Sequence, residues 1–205
     1  MKDKKLLSDI KEYLKCYENQ VLEDWYELIR HISVSETGEG IETCCDWIQK
    51  KMEEIGIQVT KYSVKPAPVL VGRFGNDPEK KTVLIYAHYD VKPAGERKLW
   101  HSDPFVPTVR DGKVYARGSA DNKSPLMAHL KALEYFIRRK MEVPVNVIFV
   151  FEGDEECGSR GLEEFLAEHR TELAADLVFF SDGPKDPSGL PIIALGAKGD
   201  LSIHI

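Results

Sequence analysis

His88, Asp90, Asp121, the Glu155–Glu156 pair and Asp182 are the residues whose types and settings point to chemistry. They occur in AHYD, SADNK, EGDEE and SDG, each just past an apolar run or just before a helical one. An imidazole and several carboxylates gathered at one edge would make a hard, oxygen-rich metal site. Neighbouring carboxylates suit two roles there, one binding the ion and the other holding a water as general base. Asp90, two residues beyond His88, could accept the proton of the ring nitrogen not facing the ion. Each residue also has a plainer role: a hydrogen-bonded histidine at a strand end, an Asp N-cap, solvated turn charges. Taken singly, the plain roles win. Their joint placement at strand ends and a helix start reverses the balance.

The elements that must position them follow from hydrophobic periodicity. Runs 83–87, 145–151 and 177–180 are short, β-rich and bounded by breakers, as buried strands of an α/β sheet should be. Ligands bind outside the carboxyl ends of such parallel strands. Residues 4–32 read as two helices broken near Cys16–Asn19. Ile41, Cys44, Cys45, Ile48, Met52 and Ile55 form one helical face that Gly56 ends. Residues 58–64 and 69–74 alternate like half-exposed strands, 82–87 is a buried strand, and 88–118 is a long irregular segment of the kind that carries function. Residues 122–140 predict a helix with Pro125 in its first turn, 143–152 the most apolar strand, and 161–169 a short helix. Strands are expected at 176–180 and 191–195, and the alternation in GDLSIHI suggests a new element and more chain beyond.

Composition narrows the function classes. The chain has 205 residues, 42% hydrophobic and 30% charged, with net charge −6. That is ordinary for a globular domain and gives no basis for nonspecific nucleic-acid or anionic-membrane binding. Four cysteines without a C-x-x-C pair, and a polar start with no apolar stretch, lead us to expect reduced thiols and a cytoplasmic setting. Cys157 lacks a sequence-neighbouring histidine, which disfavours a thiol nucleophile. No G-x-S-x-G elbow is present, so a serine hydrolase is set aside.

The ordered stretches HYDVKPAGERKLWHSDPF, DGKVYARGSADNK, FEGDEECGSRG and SDG resemble the co-catalytic zinc peptidase family, which includes aminoacylases, acetylornithine and succinyl-diaminopimelate deacylases and carnosine-type dipeptidases. H-Y-D-V-x-P and W-x-x-x-P-F are most similar to the dipeptidase branch. The resemblance implies an α/β fold, a three-layer zinc-peptidase-type catalytic domain with a mostly parallel mixed sheet between helices. It implies two Zn2+ ions, with Co2+ or Mn2+ as substitutes. His88 and Asp182 would hold one ion, Asp121 would bridge both, Glu156 would bind the second, Glu155 would be the base and Asp90 would orient His88. The peptide after Asp121 would be cis. The substrate would be a small peptide or an N-acyl amino acid, and the full-length protein a homodimer.

Two departures stand against the family pattern. Ser124 replaces the Gly of D-x-K-G, a mild change at a helix start. Family enzymes run to roughly twice this length, consistent with more than one domain of typical size. Residues 1–196 are therefore expected to be the N-terminal segment of a C-terminally truncated catalytic domain, and 197–205 the start of a lid and dimerisation domain. A later His would complete the second zinc site, and His101, His129, His169 and His204 are poor substitutes. These 205 residues alone are expected to bind metal weakly, hydrolyse little and expose a sheet edge. The competing reading is a non-catalytic fragment that keeps the fold as a binding or assembly module.

Overall fold

The computed structural model of the chain describes residues 2–183, 188 and 192. Its elements are α1 (Lys2–Arg30), α2 (Ile41–Glu54), β1 (Gln58–Tyr62), β2 (Val69–Phe74), β3 (Thr82–His88), β4 (Thr108–Arg110), β5 (Lys113–Tyr115), α3 (Lys123–Arg138), β6 (Asn146–Glu152), α4 (Leu162–Glu168) and β7 (Leu177–Phe180). One sheet has the order β1-β2-β6-β3-β7, with β3 parallel to both β6 and β7. β1 and β2 add an antiparallel wing beside β6.

Strict alternation along the central strands builds two cores. Val147, Phe149 and Phe151 of β6 face a cluster with Cys44, Ile48, Met52, Leu126 and Leu130 of α2 and α3. Ile148 and Val150, with Leu84 and Tyr86 of β3, face the other way onto Phe165 of α4 and Leu173. This is a three-layer arrangement, helices on both faces of a mixed sheet, as the resemblance implied. Phe149 and Phe151 are fully buried, each contributing roughly 1.5–3 kcal/mol of transfer free energy.

Several expectations need correction. α1 is one unbroken helix of 29 residues. The stretch Cys16–Asn19 contains neither Gly nor Pro and costs only a few tenths of a kcal/mol per residue in propensity. Packing on α3 outweighs that: buried Tyr13 sits edge-on to Tyr135, whose hydroxyl donates to Asp9 at 2.6 Å. β2 is buried over Val69–Gly72 rather than half-exposed, because it lies between β1 and β6 with Leu70 packed in the cluster of α2 and α3 and Val69 and Val71 packed on the other face with Phe165 of α4. The segment 88–118 holds a 3-10 turn at Arg97–Leu99 and the β4–β5 hairpin. Asp111 and Gly112 both have positive φ (49° and 71°), the Asp-Gly hairpin turn that the residues themselves signal.

The expected strands at 191–195 and in GDLSIHI, and the boundary at 196/197, lie outside the described residues. Among the described residues β7 is an edge strand, and all four of its residues are exposed. Among the described residues no helix is long and apolar enough to cross a membrane.

Glu172 ties the wing to the α4–β7 connection. It accepts from Tyr62 at 2.9 Å and Arg73 at 3.0 Å, and meets His169 Nδ1 at 2.9 Å. The hydrogen bond from His169, opposed by burial and helped by Tyr62 and Arg73, holds its pKa down at about 2. A depressed carboxylate stabilises the fold above its unfolded value near 4.5 and loses that contribution as pH falls toward 2. Its partial exposure limits the effect to about 1 kcal/mol or less. Glu172→Gln should therefore lower the urea midpoint at pH 7, with the difference closing between pH 4.5 and 2. A pH-independent difference would contradict this ion-pair account.

Candidate metal centre

His88 is the last residue of β3, paired in register with Glu152 of β6. Its neighbour Tyr89 turns fully inward and donates from its hydroxyl to Pro68 O at 2.7 Å. Gly153 makes room for that ring, since a Cβ there would sit 2.5 Å from it. The close approach locks the end of β3 against the start of the EGDEE loop. His88 itself is fully buried.

Asp90, also fully buried, contacts His88 Nδ1 through its carboxylate at 3.3 Å. The same carboxylate accepts the backbone N–H groups of Glu155 at 3.2 Å and Glu156 at 3.0 Å. Burial alone would raise Asp90, but the hydrogen bond and charge of His88, the Ser35 hydroxyl and the Glu156 N–H hold its pKa below the usual range. The loop after it is braced by Asp154. Its carboxylate takes Arg160 Nε at 2.9 Å and a terminal guanidinium nitrogen at 2.7 Å, while its carbonyl accepts from Cys157 and Ser159 N–H.

The far ring nitrogen of His88 meets oxygen. Asp121 Oδ1 lies 3.0 Å from Nε2, Asp182 Oδ2 3.3 Å and Glu155 Oε2 3.8 Å. Asp121 is carried by the loop before α3. The residue at the N-cap is Asn122, and the Asp121–Asn122 peptide is cis, as the resemblance implied. Asp182 follows β7. Burial opposes charge on His88, but the bond to Asp90 and the charges of Asp90, Glu155 and Asp121 outweigh it and raise its pKa to about 9. The spot strongly favours positive charge.

One ligand atom from each of His88, Asp121 and Asp182 falls within a 4.8 Å sphere of mutual distances. One imidazole nitrogen with carboxylate oxygens is the donor set of zinc, cobalt and manganese sites. The residues present therefore fit such an ion. Glu156 stands apart from this group: its carboxylate is 3.2 Å from Lys92 Nζ, which also donates to the Glu156 carbonyl. Glu155 faces the group from the side, and burial, opposed by His88 but reinforced by Glu156, Asp182 and Asp90, raises its pKa. Cys157 Sγ donates to Ser35 Oγ at 3.5 Å.

Sequence reasoning missed three supporting residues. Lys92 holds Glu156, and nothing in HYDVK signals it. Ser35 joins Asp90 from the loop after α1. Lys123 is 1% exposed and donates to Leu28 O at 3.1 Å and His31 O at 2.6 Å, tying the start of α3 to the C-terminal carbonyls of α1, where a cation is favoured. A cleft of ≈ 820 Å³ opens beside Asp121 and Asp182, bordered by Trp25, Val114, Ser124 and Pro125.

Known proteins resemble this chain in sequence and in fold. The chain is 41% identical over 161 residues to the Cys-Gly metallodipeptidase of Schizosaccharomyces pombe, covering 76% of this chain and 34% of that protein. It superposes on human carnosine dipeptidase 1 with a TM-score of 0.82 at 29% identity, covering 86% of this chain and 41% of that one. An M20 family metallo-carboxypeptidase from Sulfolobus solfataricus gives a TM-score of 0.78 at 36% identity, covering 82% and 38%. The chain thus spans about a third of the length of the first curated relatives it matches (34% and 32%). Residues 84–196, which carry every candidate ligand and the β3-β6-β7 frame, match Peptidase family M20/M25/M40, and the chain belongs to that family.

Proposed function

We propose that this chain carries the metal-holding core of an active site that hydrolyses the amide bond of a dipeptide. The observation that supports it most directly is the convergence of Asp121 and Asp182 on His88 Nε2 at 3.0 and 3.3 Å. The similarity to a Cys-Gly metallodipeptidase and to a Beta-Ala-His dipeptidase supports the substrate class. Zinc is the ion assigned, with cobalt or manganese as substitutes, and it supplies Lewis acidity to the scissile carbonyl and the attacking water.

The chain's own groups do the rest. His88, Asp121 and Asp182 hold the ion, and Asp90 keeps the His88 ring turned toward it. Glu155, whose pKa is raised, takes the proton of the attacking water and returns it to the departing amine. Its carboxylate must stay free of metal for this, which is why ligand and base are separate residues. Glu156, whose carboxylate lies 3.2 Å from Lys92 Nζ, and Asp121 would hold a second ion, were one bound. A cytoplasmic, homodimeric full-length enzyme, with residues 1–196 in its catalytic domain and 197–205 opening a lid, completes the proposal. N-acyl amino acids are the alternative substrates.

Equilibrium dialysis against zinc should show uptake by the wild-type chain, and His88→Ala should weaken it at least tenfold. Uptake unchanged in His88→Ala would contradict the ligand assignment. In the full-length protein, Glu155→Gln should keep the zinc yet lower kcat for Cys-Gly by about 10²–10⁴-fold. Loss of zinc in that variant, or undiminished kcat, would remove Glu155 from the role of base.

A further inference from the structure

Asp182 is held in place by something other than the sheet. β7 is an edge strand, and its ladder to β3 ends at the Tyr86–Phe180 pair, two residues short of Asp182. Yet the Asp182 carboxylate lies 3.3 Å from His88 Nε2. The intervening residue, Ser181, is gripped twice. Its carbonyl accepts from Asn122 Nδ2 at 3.2 Å, and its hydroxyl lies 2.8 Å from His129 Nε2. Asn122 is buried and directly follows Asp121. The two carboxylates that flank His88 are thus carried by neighbours bonded to each other.

His129 comes from α3, and its ring also stands edge-on to Phe179 of β7, 5.5 Å away. It bolts the helix to the strand end. It is no candidate ligand, because the three-donor group forms without it.

We propose that His129 is a positioning residue of the metal centre, fixing Asp182 through the Ser181 hydroxyl and so setting how tightly the ion is held. This rests on the assignment of His88, Asp121 and Asp182 as ligands. Groups that orient a ligand from behind are worth 10–100-fold in metal affinity. The plainer role for His129, filling the α3–β7 contact, makes a different prediction, because Leu would fill the same space without the hydrogen bond.

The test compares wild type, His129→Leu, His129→Gln and Ser181→Ala. Zinc affinity is read by competition with a chromophoric chelator, and thermal midpoints are read in excess chelator. His129→Leu and Ser181→Ala should each weaken zinc about tenfold with nearly unchanged metal-free midpoints. His129→Gln should recover most of the affinity, and His129→Leu combined with Ser181→Ala should lose no more than the worse single variant. Ser181→Ala removes one oxygen and keeps the experiment decisive should His129→Leu fold poorly. Wild-type affinity in Ser181→Ala, or losses that merely track the drop in metal-free midpoint, would overturn the assignment. A wild-type chain that takes up no zinc would remove the proposed function and this assignment together, whereas normal uptake in the variants would remove this assignment alone.

Discussion

Both His88 and Asp90 are wholly buried, and the 3.3 Å contact between them sets the geometry around it. A buried charge without partners costs several kcal/mol. Asp90 avoids that cost by spreading its bonds over His88, Ser35 and the N–H groups of Glu155 and Glu156. Asp90 therefore does two jobs. Its carbonyl, 3.2 Å from His88 Nδ1, and its carboxylate, at 3.3 Å, hold one side of the ring and leave Nε2 facing Asp121 and Asp182, while the carboxylate fixes the backbone of the loop that presents Glu155. The imidazole of His88 and the loop that carries Glu155, the proposed base, are registered against each other through a single buried group.

The sheet explains why these groups meet at one edge. β3 lies between two parallel neighbours, so His88, the loop after β6 and the residues after β7 emerge at the same carboxyl ends. α3 brings in the fourth direction, and its start is anchored by Lys123, whose ammonium is satisfied by α1 carbonyls rather than by a carboxylate. Opposite that rigid frame, β7 pairs, among the described residues, with β3 alone, and all four of its residues are exposed. Ser181, next to Asp182, is contacted by the side chains of Asn122 and of His129 from α3.

Much of this was legible from residue order. The alternation in VNVIFVFE and TVLIYAH marks buried parallel strands, and the polar residues at their ends mark the site. His88, Asp121 and Asp182 converge, and Asp90 contacts His88 from the other side. What stayed hidden has a common physical cause: it depends on partners far apart in sequence. Unbroken α1 is held by Tyr135, more than a hundred residues away, and no local signal at Cys16–Asn19 reports that packing. Burial on both faces of β2 reflects its place between β1 and β6, which alternation alone cannot reveal. Lys92 looks like any solvated lysine, yet it holds the Glu156 carboxylate. The β4–β5 hairpin was different, because Asp111–Gly112 signals it locally and the long Pro-rich segment around it obscured the signal.

The central claim is that one imidazole and carboxylate oxygens, with no thiolate, hold the ion at the end of β3. Zinc K-edge absorption on the loaded chain tests it most directly, because sulfur and nitrogen or oxygen shells separate cleanly. The account predicts a first shell of nitrogen and oxygen at about 2.0–2.2 Å with no sulfur. A zinc–sulfur shell at about 2.3 Å would place a cysteine on the ion and contradict it.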